Sequence, residues 1–338
     1  MTPDPPPTST AARRVRLAVR PRHVPARWAT AEVEAGRHLL ATITFGEDGP
    51  PGDALAHLPL PALGPGPLVE QWIVDEAPGA DEVEGFRLAR TSRVLFGVAE
   101  TDGKDLARDT RDLYRRLLSI LDAEGMEPLR IWNSVPDLHP GRSRLDRYMQ
   151  FCMGRARAFE EVHGPGFERR LPAGTAVGSR VGPQVVHFLA TRRPGTPIEN
   201  PRQVSAYRYP ARYGPRSPAF ARAARAPEDL GGHLLISGTA SILGHESRHP
   251  GNVVAQTEES LRNLRALVHG AEAVERPLGA RLRVPRVYLR DPADLERVRP
   301  ILERELAPGT EVLYLHAEIC RSELLVEIEG LGLRGEGC

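Results

Sequence analysis

The chain has 338 residues, 41% hydrophobic and 26% charged, enough apolar surface to bury one large core or two ordinary ones. Its 45 basic and 44 acidic side chains leave a formal charge of +1. No whole-molecule field therefore gathers nucleic acid or an anionic membrane, and any anionic ligand must be held by local arginines. Glycine and proline number 32 each, which signals many turns without low-complexity disorder. No run approaches the roughly 18 apolar residues of a membrane span, and MTPDPPPTSTAARR has no apolar run to serve as a secretory leader, so the cytoplasm is expected. Cys152, Cys320 and Cys338 are too scattered for a disulfide framework or a thiolate zinc site.

In chain order, residues 1–15 are Pro/Thr/Ser-rich and predict a disordered tail. VLFGVAE (94–100) predicts a strand, and Leu106, Leu113, Leu117, Leu118 and Leu121 predict a helix over 105–124 that stops at Gly125. RIWNSVP (130–136) is a strand, 145–162 a second helix, and 174–179 and 185–192 two further strands. Turn residues crowd RRPGTPIENP (192–201), which reads as the join between two halves. Residues 202–230 carry Tyr207, Tyr209, Tyr213 and Phe220, too aromatic for a solvated linker, and predict an ordered, irregular active-site segment.

The second half repeats the order. Residues 233–243 are a buried strand; a helix follows from Asn252 to Gly270, then a strand at 286–290 and a helix at 292–306 opened by Asp291 and Pro292. Strands at 311–319 and 323–330 close the chain. Such units bury one sheet face beneath two helices and leave the other to meet a second sheet, so a duplicated α+β unit with ligand between the copies is expected, one over 16–195 and one over 196–338.

Two motifs lack their context. His245, Glu246 and His249 spell H-E-x-x-H, but Gly244 before and Pro250-Gly251 after leave room for barely one helical turn, so no zinc site is expected. Gly330, Gly332 and Gly335 fit G-x-G-x-x-G with no helix to receive a phosphate, and read as a frayed tail beyond the last strand.

What remains is one acid and several Arg/Tyr sets. Alternation puts Leu324, Val326 and Ile328 on one face of the last strand and Leu325, Glu327 and Glu329 on the other. By itself this favours a solvated face for Glu327; if a cleft closes over that face, the protonated carboxyl is favoured and can donate near neutral pH. Tyr148 and Arg155, two helical turns apart, share a face, either as a surface pair or as a carboxylate-binding fork beside a hydroxyl. Tyr209 and Arg222, with Tyr213 and Arg216 between, offer another set, and two such sets with one acid suit a small dicarboxylate. Cys320 reads as a small buried hydrophobe or a thiol facing a cleft, and Gly238 inside a strand marks a close approach to the backbone, for which a flat ring is one candidate.

WNSVPDLHP, RYMQFCMGRARAF, ENPRQVSAYRYPARYGPRSPAFARA, LLISGTASILGHES and LLVEIEG together resemble the chorismatase family, whose members remove pyruvate from chorismate; the likeness spans roughly residues 85 to 330. The resemblance implies two tandem Rid/YjgF-like (chorismate mutase-like) domains, a cofactor-free reaction on a small molecule, proton donation by the glutamate matching Glu327, and substrate contacts at Tyr148, Arg155, Tyr209 and Arg222. Members that form 3-hydroxybenzoate look like this chain at Gly238 and Cys320, whereas those that hydrolyse chorismate to a dihydroxycyclohexadiene carboxylate tend to carry alanines there. A 3-hydroxybenzoate synthase is therefore expected, with the hydrolase and a mixed 3-/4-hydroxybenzoate producer as alternatives, and Ser134 departs from the Tyr that relatives often carry. An enamine/imine deaminase of the parent fold uses an arginine just before the fifth strand, where this chain reads APGTE (307–311). A non-catalytic small-acid binding module would tolerate loss of Glu327. A monomer is expected.

Overall fold

The first long helix shows how local sequence fixes the frame. Asp105 caps its N-terminus by accepting from the Arg108 N–H, Gly125 ends it in the left-handed conformation, and the leucines between turn inward. Two further helices begin the same way, capped by Asp146 and Asn252. The computed structural model describes residues 20–25, 36–46, 55–64, 68–139, 145–270 and 275–333; the expected N-terminal tail and Gly335 lie outside them.

The described chain opens with β1 (Arg20–Pro25), β2 (His38–Phe45), β3 (Ala56–Leu58), β4 (Ala62–Leu63) and β5 (Leu68–Val74). The first repeat comprises β6 (Gly79–Val83), β7 (Phe86–Arg90), β8 (Val94–Thr101), α1 (Leu106–Glu124), β9 (Glu127–Pro136), α2 (Arg147–His163), β10 (Ala173–Ser179) and β11 (Gln184–Thr191). The second comprises β12 (Thr196–Ile198), β13 (Ala223–Arg225), β14 (Leu234–Ala240), the hairpin β15 (Ile242–Leu243) and β16 (Glu246–Ser247), α3 (Val253–His269), β17 (Leu282–Leu289), α4 (Leu295–Glu305), β18 (Leu313–His316) and β19 (Val326–Gly332).

The duplication is visible in the strand order. The first sheet runs β10-β9-β11-β8-β7-β6 and the second β12-β13-β14-β19-β17-β18-β4. Read from the opposite edge, the second sheet repeats the first strand for strand, with β19 in the place of β11, and β4 is added beyond β18. The pairs β9–β10 and β17–β18 are parallel, each joined through a helix that covers one sheet face. The fold is α+β.

Among the described residues three apolar clusters hold the layers. One lies beneath α1 and α2. A second lies beneath α3 and α4 and takes Val326 and Ile328 from β19. The third fills the space between the sheets and includes Leu40, Ile43, Leu58 and Trp72 from the separate four-stranded sheet, order β1-β5-β2-β3, which the sequence reading did not anticipate.

Within 192–201, the stretch expected to join the halves, Thr196–Ile198 form an edge strand, β12, paired with β13. Gly330 and Gly332 lie inside β19 rather than beyond it, because the ladder with β14 and β17 continues to residue 332. The 202–230 segment is ordered through short 3-10 turns at Ala206–Arg208, Ala211–Tyr213 and Glu228–Leu230, as expected. No helix among the described residues is long and apolar enough to cross a membrane.

Candidate active site

On β19, alternation sends Val326 and Ile328 under the helices and therefore turns Glu327 and Glu329 toward the other sheet. That face is covered: Glu327 is 4% exposed and Glu329 3%, which overturns the solvated-face reading. Alternation fixes which residues share a face, but not whether a second layer lies over it.

Glu327 borders a cavity of about 210 Å³ between the sheets, whose lining includes Tyr148, Arg155, Tyr209, Arg222 and Cys320. Burial, reinforced by the neighbouring negative charge of Glu329, pushes the Glu327 carboxyl up to about 8, against the opposing charges of Arg130 and Arg222. A carboxyl so placed carries its proton at neutral pH.

Gly238 is close to Glu327 for a reason the sequence did not show. A β-carbon there would overlap the Glu327 carboxyl, 2.7 Å from Cδ, and would lie 3.1 Å from Thr175 Cγ2. The strand interior is bare where the acid packs against it, and Gly238 also lines the cavity. Gly174 on β10 does the same for Arg155, whose Nη2 would lie 2.7 Å from a β-carbon at that position.

Arg155 is 2% exposed, with Nε and Nη2 lacking a partner among the described residues, and its guanidinium lies over the Tyr114 and Phe151 rings at 5.4 and 5.9 Å. The surface-pair reading is thereby excluded. Each buried unpaired donor costs about 1–3 kcal/mol, which an arriving carboxylate would offset. Tyr148 shares the cavity wall; burial holds its hydroxyl well above the ordinary phenol range, so it stays neutral. Arg222, 5% exposed, donates to Tyr209 Oη at 2.6 Å and to the Val204 carbonyl at 3.0 Å, leaving Nε without a partner among the described residues.

The remaining expected residues separate. Tyr213 lines the cavity, while Arg216 pairs with Glu160 at 2.6 Å on an exposed surface and lies outside that lining. Its place is taken by Arg321, which the sequence reading missed. The Arg321 guanidinium lies 3.9 Å from the Tyr213 centroid and 5.2 Å from that of Tyr209, and Nη1 donates to the His245 carbonyl and Ser247 Oγ, each at 3.0 Å. Its position beside Cys320 was the one available signal. Burial pushes the Cys320 thiol up to about 12, so it presents an uncharged surface rather than a nucleophile, and it packs on the central core as well as facing the cavity.

The H-E-x-x-H residues lie on the β15–β16 hairpin and its exit, with His249 at φ +57°, so the helix the motif requires is absent. His245 braces the cavity instead, with Nδ1 3.3 Å from Tyr213 Oη. Among the described residues no group of three or more His, Cys, Asp or Glu side chains converges to hold a metal.

A cleft between the sheets with one protonated carboxyl and buried, incompletely satisfied arginines defines a site able to hold a small organic anion and hand it a proton. The family model described as chorismatase FkbO/Hyg5-like, N-terminal, matches residues 70–190. A 3-hydroxybenzoate synthase of Streptomyces hygroscopicus is 37% identical over 279 residues, 78% of this chain and 81% of that one. A chorismatase of Streptomyces rapamycinicus is 37% identical over 278 residues, 78% and 82% of the two chains. A crystal structure of a chorismatase superposes with a TM-score of 0.82 at 30% identity, covering 94% of this chain and 99% of that one. The chain belongs to the chorismatase family.

Proposed function

We propose that the protein converts chorismate to 3-hydroxybenzoate and pyruvate, with Glu327 as the general acid. The observation that carries this is a single carboxyl, raised to about 8 by burial, beside a cavity also lined by Arg155 and Arg222. Chorismate is a dianion with an enol ether. Its terminal methylene accepts the Glu327 proton to give an oxocarbenium ion, while Arg155 and Arg222 hold the two carboxylates so that this carbon stays within reach.

After protonation the ring hydroxyl attacks the neighbouring ether-bearing ring carbon, a C–O bond forming there as the ether C–O bond breaks and pyruvate leaves; the hydroxyl proton returns to Glu327, and the arene oxide so formed isomerises to 3-hydroxybenzoate. Attack by water on the oxocarbenium carbon releases pyruvate too but leaves the dihydrodiol. Cys320, a neutral side chain on the cavity wall, supports the aromatising branch by shaping the space around the ring. Gly238 supports it indirectly, by seating the acid. Tyr148 and Tyr209 supply hydroxyls beside the two forks.

On the same reading the enzyme is a cytoplasmic monomer acting on a small molecule, and its two domains meet near residues 195–196. Size-exclusion chromatography with light scattering tests the monomer. The activity is tested by incubating purified protein with chorismate and identifying pyruvate and the aromatic or dienoic product; absence of pyruvate would overturn the proposal.

A further inference from the structure

We propose that Glu329 and Thr175 are a positioning pair for the acid, with Glu329 acting on Glu327 through Thr175 and the backbone of Gly238. The inference rests on the reading of Glu327 as proton donor and adds residues that do not line the substrate cavity or that line it without an assigned role. Glu329 lies one pleat along from Glu327, on the same face of β19.

The Glu329 carboxylate is held from three strands. It accepts from Arg130 Nη2 at 2.6 Å, Trp132 Nε1 at 3.0 Å, Tyr288 Oη at 3.0 Å and the Thr175 hydroxyl, and pairs with Arg286 Nη1 at 3.2 Å. Arg286 in turn grips Glu70 through bonds of 2.8 and 2.6 Å, so two arginines balance two glutamates in the buried core. A buried ionic cluster of this kind is weak evidence for stability, since desolvation offsets the attraction. Its connection to the cavity is therefore the informative part.

That connection is Thr175. Its hydroxyl has one proton, given to Glu329, and its lone pairs accept from Arg130 Nη2 and from the Gly238 N–H, the latter at 2.8 Å. The polarity of the chain is fixed: Glu329 orients Thr175, and Thr175 can only accept from Gly238. Gly238 sits where the β14–β19 ladder shifts register between Ile236 and Thr239, and the Glu327 carboxyl rests against it. Movement of this irregularity would move the acid.

Charge acts along the same line. Glu327 faces Glu329 on its own strand, Arg130 on β9, Arg222, Tyr148 on α2, Cys320, and its register partner Tyr288 on β17. Among these Glu329 supplies the like charge that favours the protonated acid, and the two arginines oppose it.

Thr175→Val keeps volume and charge while removing the hydroxyl, and Thr175→Ser restores it. On chorismate, Thr175→Val is expected to lower kcat about tenfold or more with KM changed less than about threefold, and Thr175→Ser to recover wild-type kcat within about threefold. Glu329→Gln is expected to lower the titration midpoint of Glu327 by at least about half a pH unit, read without turnover from the infrared carbonyl band that Glu327→Gln removes. Wild-type kcat in Thr175→Val, no recovery in Thr175→Ser, or an unmoved carbonyl midpoint in folded Glu329→Gln would each overturn the pair. A wild-type enzyme that releases no pyruvate would instead overturn the functional reading, and the infrared titration still decides the coupling.

Discussion

The Glu327 carboxyl occupies the volume that a β-carbon on residue 238 would need. Acid and glycine are therefore one unit, and Gly238→Ala must displace the proton donor. The atoms that must shift are the end of a flexible side chain, so Gly238→Ala is expected to keep pyruvate release within about tenfold while diverting product from 3-hydroxybenzoate toward the dihydrodiol. Pyruvate release and chromatographic product ratios measure it; an unchanged ratio would remove Gly238 from product control.

Cys320 lines the same cavity without touching that unit in the same way. Cys320→Ala is expected to divert product from 3-hydroxybenzoate toward the dihydrodiol while pyruvate release stays within about threefold. Chromatographic product ratios check this, and an unchanged ratio would remove Cys320 from product control.

Arg155 and Gly174 make a second such unit, the arginine passing where a side chain on residue 174 would lie. Charge-assisted hydrogen bonds contribute about 1.5–3 kcal/mol, so Arg155→Met is expected to raise KM about 10- to 100-fold. Gly174→Ala, which leaves the charge in place and moves it, is expected to raise KM as well. Normal KM in both would remove the carboxylate-holding role.

Arg216 and Arg321 separate a sequence expectation from a structural one. Arg216 pairs with Glu160 at the surface, so Arg216→Ala is expected to leave KM within about twofold. Arg321 lines the cavity against Tyr213, so Arg321→Met is expected to raise KM about tenfold or more. The reverse pattern would restore Arg216 to the site.

A carboxyl whose folded pKa lies above its unfolded value favours the unfolded state once pH exceeds that unfolded value. For Glu327, shifted from 4.5 to about 8, the penalty is absent in acid, grows as pH rises from 4.5 and levels off above 8. At pH 7 it amounts to roughly 3 kcal/mol. Glu327→Gln is therefore expected to raise Tm at pH 8 by several degrees, and by much less at pH 5. Scanning calorimetry at the two pH values checks this; an equal change at both would show the carboxyl to be ordinary.

Much of the frame was legible in local pattern. The capped helices and apolar strands gave the repeated order, and alternation in LLVEIEG set Glu327 and Glu329 on one face with Val326 and Ile328 on the other. What covers that face was not legible, because Arg130 and Glu329 meet across 199 residues and no local periodicity encodes such a pairing. The same limit hid Thr175 and the four-stranded sheet, and left Arg216 and Arg321 indistinguishable until the chain was folded. A close approach at Gly238 was legible in the strand, but not that the Glu327 side chain packs against it.

The most direct test compares pyruvate release from chorismate by the wild type and Glu327→Gln between pH 6 and 9.5. The wild-type rate should fall as pH rises through about 8, as the acid loses its proton, and the variant should be slower by about 10²-fold or more near pH 6, with the gap narrowing toward pH 9.5 and chorismate binding retained. A Glu327→Gln enzyme that releases pyruvate at the wild-type rate would contradict the account.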